Sequence, residues 1–195
     1  MQTAGSFSRS MRVKGYLAIA VSCAEAKDIG CVDSAVQKMR SVAGSEDNEE
    51  EVSVFGLKLM ILNVTAALID NGQLAAASRL LAPFERHQDD VSWKMGIEPE
   101  VQLQRVFILA QQGRFRQARA LALNMRPDSV ADVQRGTALR TIAVLQTNKS
   151  GFALSQSWAS ALKDPEDRAY ALLGIVQVLL EIGDVKLPYS AIQIH

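Results

Sequence analysis

Apolar residues recur along this chain at spacings of three and four, the period of an α-helix. Over Arg168–Ile182 they fall at Ala171, Leu172, Ile175, Val176, Leu179 and Ile182. Over Leu57–Asp70 one set is Leu57, Met60, Ile61, Val64 and Leu68, and a second face carries Leu59, Leu62 and Ile69. A helix apolar on two faces is expected to be flanked on both sides. No segment shows a convincing strand alternation, except that Tyr189–His195 could be extended or a short helix.

The helical segments are punctuated at regular intervals. Gly30, Gly72, Gly113 and Gly183 each follow a long apolar-periodic stretch, and Asn148 stands thirty-five residues from both Gly113 and Gly183. Gly and Asn are the residues that best take positive φ at a helix end. Five residues after these positions stand Ala35, Ala77, Ala118 and Ala153, with Pro188 breaking the series. A small side chain there suits a second helix crossing closely over the first. Spacings of 42, 41, 35 and 35 residues predict one helical hairpin per unit. Five hairpins make about ten helices.

The prolines agree. Pro99 and Pro165 stand where helices begin, and Asp164 is an N-cap with acids in the first turn behind it. Pro83 is expected to end or kink the helix that starts at Gln73, and Pro127 precedes a cap at Asp128 or Ser129. The fold class is therefore all-α, an α-solenoid of about five antiparallel hairpins. Residues 1–12 read as a flexible leader and 13–195 as one helical-repeat domain.

At these residues the chain resembles tetratricopeptide-like helical repeats. Gly113-Arg114-Phe115-Arg116-Gln117-Ala118 echoes the family's Gly-x-aromatic-x-x-Ala turn, and Arg168–Asp184 and Ala138–Ala143 look like starts of its first helix. The resemblance spans about residues 15–190, and only the turn motif is sharp. Seven residues before each turn the family expects a small residue. Here the positions hold Cys23, Thr65, Val106, Thr141 and Val176. The resemblance implies a superhelix whose first helices line a concave, peptide-binding face. In this register that face includes Leu62, Leu103, Phe107, Ile142, Leu145 and Tyr170, a groove for a peptide or helix of a partner protein. The opposing reading is that the same stripe is core. Pentatricopeptide RNA binders share a thirty-five-residue period, but they need a basic groove.

Composition narrows the classes. The 195 residues are 48% hydrophobic, with 21 basic residues balanced by 21 acidic ones. That excludes a disordered chain and argues against a general nucleic-acid binder. Arginine is concentrated at Arg105, Arg114, Arg116, Arg119, Arg126, Arg135 and Arg140. Arg105 and Arg135 are candidates for docking an acidic peptide, against the alternative of a solvated face paired with nearby acids. The acidic run Ser45–Glu51 lacks the alternation of a calcium loop. His87 has no second His or Cys near it, so no metal site is expected. Neither a cofactor motif nor a catalytic constellation is present.

Cys23 and Cys31 are eight residues apart, about 12 Å on a continuous helix, which predicts two buried thiols rather than a bridge. Arg9, Arg12 and Lys14 precede the apolar run Tyr16–Ala24, an outline shared by a signal peptide and by the first amphipathic helix of the fold. The expectation is a cytoplasmic, non-catalytic interaction module without membrane insertion. An exported or translocated bacterial effector that acts by binding is the alternative. The last unit, spoiled by Pro188, either caps the stack or pairs with a second copy.

Overall fold

In the computed structural model the structure describes residues 8–44, 53–86, 97–125 and 131–180. Among the described residues the regular structure is helical, with no β-strand. The helices are α1 (Arg9–Glu25), α2 (Ile29–Ala43), α3 (Val54–Asp70), α4 (Leu74–Leu81), α5 (Glu98–Gln111), α6 (Phe115–Leu123), α7 (Ala131–Ser150), α8 (Phe152–Ser160) and α9 (Pro165–Leu179). The chain divides into two compact units, one holding α1–α4 and the other α5–α9.

Local chemistry sets the helix starts. Ser8, Asp28 and Ser53 cap α1, α2 and α3, each side chain accepting a hydrogen bond from the backbone N–H three residues on. Asp164 Oδ1 accepts from the N–H groups of Glu166 and Asp167, with Pro165 leading α9 as its sequence implies. Pro99 lies in the first turn of α5. Helix α4 ends at Leu81, and Pro83 lies in the 3-10 turn Ala82–Arg86 that follows. Helix α1 begins at Arg9, so residues 9–12, expected in the leader, are helical.

Three hairpin turns share one hydrogen-bond pattern. The N–H of Gln73 donates to Leu68 O and that of Gly72 to Ile69 O. Arg114 and Gly113 repeat this onto Leu109 and Ala110, and Asp28 and Lys27 onto Cys23 and Ala24. This is the Schellman closure, which satisfies carbonyls that the helix end would leave orphaned. Gly72 and Gly113 hold the positive φ as expected, but two assignments change. The first turn places Lys27, not Gly30, at positive φ, because Asp28 already caps α2 and Gly30 lies inside it. The fourth places Gly151, not Asn148, there, because α7 continues through Ser150. The turn residues are therefore 45, 41 and 38 apart (27 to 72 to 113 to 151).

The second helix of each hairpin keeps a common buried register. Its fourth residue is Val32, Ala77, Ala118 or Ser155, and its eighth is Val36, Leu81, Ala122 or Ala159, all buried. In the first unit α1 packs on α2 and α3, and α3 on α4. Helix α3 buries every residue from Met60 to Ile69 except Asn63, which fulfils its two-faced pattern. In the second unit α7 touches α5, α6, α8 and α9. Helices α7 and α9 cross closely at glycines. A Cβ on Gly174 would collide with the Arg140 carbonyl oxygen, and one on Gly136 with the Tyr170 ring. Ala143, Ala159, Leu162, Ala171 and Ile175 form a buried cluster there, with Trp158 half-buried against it.

Cys23 and Cys31 form a disulfide, contrary to the sequence expectation. The helix does not continue between them. Helix α1 ends at Glu25 and the chain reverses, which brings the two Cα atoms to 5.7 Å.

The acidic run Ser45–Glu51, His87, Trp93, Arg126, Pro127, Asp128, Ser129, Gly183, Pro188 and Tyr189–His195 lie outside the described residues.

Candidate functional site

Leu62, Leu103, Phe107 and Ile142, expected along an open groove, are buried. Leu145 and Tyr170 are half-buried, the latter with its ring over Gly136. At the four buried positions the stripe is core, because the packing of neighbouring helices covers it. A Leu side chain packed on all sides offers a partner no surface.

The arginines are also engaged. Arg135 on α7 forks onto Asp167 on α9, with Nε donating to Oδ1 at 2.8 Å and Nη2 paired with Oδ2. Its Nη1 donates to Met125 O. The two side chains are 19% and 9% exposed, which makes this an internal strut rather than a docking residue. Arg140 donates twice to Gln177 Oε1, at 3.0 and 2.8 Å. Arg119 donates to Phe115 O and stacks over Trp158, 5.2 Å from the ring centroid. Burial lowers its guanidinium pKa from the ordinary value. Arg105 is half-buried and Arg116 exposed.

A half-buried acid, Glu100, lies between α5 and α7. Gln104 Nε2 donates to Glu100 Oε1 at 3.0 Å, and Gln134 Nε2 to Oε2 at 3.3 Å. Desolvation raises the Glu100 pKa, and the Gln104 hydrogen bond partly offsets that. Among the described residues no three His, Cys, Asp or Glu are grouped so as to hold a metal ion.

A contiguous exposed apolar stripe lies elsewhere, on the last described helix. Leu172, Leu173, Val176 and Leu179 of α9 and its C-cap Leu180 are 37, 55, 45, 57 and 61% exposed. They fall at i, i+1, i+4, i+7 and i+8, so they form one continuous stripe about 12 Å long. The opposite side of α9, through Ala171, Gly174 and Ile175, is buried. The signal in the sequence was a pair of leucine doublets, 172–173 and 179–180, seven residues apart. Helix α8 adds exposed Phe152 and Leu154.

Among the described residues no helix is long and apolar enough to cross a membrane. Comparison of the chain with protein-family models, with curated proteins and with solved structures gives no match in any of the three.

Proposed function

We propose that the protein is a non-catalytic interaction module, a tetratricopeptide-like array of helical hairpins that docks an amphipathic helix of a partner protein. The observation that carries this reading is the exposed stripe Leu172, Leu173, Val176, Leu179 and Leu180. Its spacing is that of helix-in-groove recognition, where anchors at i, i+3, i+4 and i+7 interlock. Contiguous apolar surface on a folded unit marks an interaction site more often than isolated exposed leucines do. The docking face is thus the outer side of α9 rather than the groove through Phe107. Arg135 and Arg140 of the same unit act within it, holding α9 against α7.

A second reading draws on the Cys23–Cys31 disulfide. Disulfides persist chiefly in oxidising compartments, which favours an exported protein that acts by binding over a cytoplasmic adaptor.

The test pairs Leu173→Glu with Leu179→Glu in the full chain. Both positions are more than half exposed, so the double variant should keep its helical circular dichroism and lose no more than about 1 kcal/mol of stability. A partner captured by the wild type is then purified and titrated against both proteins. Binding lost by the folded variant supports the reading, as does a photo-cross-link from position 176. Undiminished binding moves the interface away from α9. Sedimentation of the chain alone identifies the case in which the stripe is covered by a second copy.

A further inference from the structure

We infer that the Cys23–Cys31 disulfide is a redox-sensitive clasp that holds Lys27 in its left-handed conformation and thereby keeps α1 docked on α2. Four hairpin turns lie among the described residues, and three of them place glycine at positive φ. The first places Lys27 there, at φ 59°, the only non-glycine residue with positive φ among the described residues. A side chain in that region clashes with its own backbone, a penalty that glycine does not carry. This same turn is the one bridged by a disulfide, from the last turn of α1 to the first turn of α2.

The placement couples the bridge to the turn. Cys23 O accepts the outer Schellman hydrogen bond from Asp28 N–H, and Asp28 Oδ1 accepts from Cys31 N–H at 3.0 Å. The two bridged residues are therefore the outer partners of two hydrogen bonds that meet at Asp28. Ala24 O accepts from Lys27 N–H and also from Gln73 Nε2 at 2.9 Å. Gln73 closes the α3–α4 turn, so the clasp is tied to the second hairpin of its unit. Both cysteines are half-buried, and Glu25, Ala26, Lys27 and Asp28 around them are exposed. A small dithiol can reach the bridge. Cys31 is the third residue of the fifteen-residue α2.

The exchange is a two-electron step. A thiolate of a dithiol reductant attacks one sulfur, and the Cys23–Cys31 S–S bond breaks as a mixed disulfide forms. The reductant's second thiol resolves it and leaves as a cyclic disulfide. Two electrons and two protons end on the Cys23 and Cys31 thiols. A disulfide oxidant such as oxidised glutathione reverses the step.

With the bridge open, Lys27 is free to leave the left-handed region when the hairpin frays. With it closed, the small ring limits how far Lys27 can leave that region even in the unfolded chain, so unfolding relieves less of its left-handed penalty. Replacing Lys27 by glycine should therefore help the reduced protein more than the oxidised one.

The full chain is compared in excess oxidised glutathione and in excess dihydrolipoate, as wild type, Lys27→Gly and the double variant Cys23→Ser, Cys31→Ser. Alkylation should count no free thiol in the oxidised wild type and two in the reduced. Reduction should lower the thermal midpoint by on the order of 5–10 °C. It should also speed amide exchange at Lys27, Asp28 and the last turn of α1 before it does so in α3. The serine double variant should match the reduced protein and ignore the reductant. Lys27→Gly should raise the midpoint more in dihydrolipoate than in oxidised glutathione. Two free thiols under oxidant, an unchanged midpoint on reduction, or an equal effect of Lys27→Gly in both redox states would each overturn the inference.

Discussion

Among the described residues of the α1–α4 unit, Arg9 and Thr65 are the buried polar side chains. In the α5–α9 unit they are Gln104, Thr141, Gln146, Thr147, Ser155, Asp167 and Gln177. Thr65 turns its hydroxyl back to Ile61 O, 2.9 Å away within its own helix, so it ties α3 to nothing else. Asp167 and Gln177 instead receive guanidinium groups from α7 across a helix boundary. Apolar side chains specify that two helices pack, with several neighbouring registers of similar energy. A guanidinium fork on one carboxylate accepts a single register. The first unit is held mostly by volume, with the Cys23–Cys31 bridge, Gln73 on Ala24 O and an exposed Arg79–Asp33 pair between α4 and α2 as its further ties. The second adds polar struts and glycine notches that fix which residue meets which, and it is this unit that can leave one side of α9 uncovered and still keep the helix in place.

The largest effect that would test the contrast is expected at Leu62, fully buried in α3. Leu62→Ala should cost about 2–5 kcal/mol in urea denaturation, with the spread set by how far the site collapses. A loss below 1 kcal/mol would show that side-chain volume is not what holds the first unit. Next comes Gly174→Ala. Alanine is the better helix former, yet its methyl would meet the Arg140 backbone, which cannot swing aside as a side chain could. A loss of about 1–3 kcal/mol is expected despite the gain in propensity. A stabilised variant would refute the close crossing of α7 and α9.

The smallest effect is a pH dependence at Glu100. Its pKa in the folded state is raised above the ordinary value of 4.5, so the folded protein holds this proton more tightly than the unfolded chain does. The stability that this side chain contributes is complete below that ordinary value and is lost as pH rises through the raised one. Glu100→Gln should therefore be more stable than wild type at pH 7, with the gap closing by pH 4. With the Gln134 amide turned over, the new amide can donate to its Oε1, which has no hydrogen-bond partner among the described residues. Parallel urea titrations at the two pH values read this directly. A gap that does not change with pH would remove Glu100 from the list of polar strains in the second unit.

How much of this was legible depended on the range of the cause. Asp164-Pro165, the Gly72 and Gly113 turns, the end of α4 before Pro83 and the two apolar faces of α3 all rest on neighbours within a turn or two, and each appears where its residues imply. Lys27 was not legible, because nothing local favours lysine at positive φ and its support comes from the ends of the turn. The bridge was misjudged for the same reason, since the distance between Cys23 and Cys31 depends on where α1 stops. The open side of α9 was invisible to periodicity. A spacing of three and four says which residues share a side of a helix, and it is silent on whether anything covers that side. Phe107, read as lining an open face, is core, while Leu173 is exposed.

The turn between α7 and α8 differs from its glycine counterparts in what it permits. Gly151 has φ 89° and ψ 163°, a region entered essentially by glycine alone. Gly72 and Gly113 sit near the left-handed helical region, which asparagine also visits. Either of those two can therefore be exchanged for asparagine with the hairpin kept. At position 151 any side chain meets a backbone conformation that L residues do not adopt, so this turn admits glycine alone.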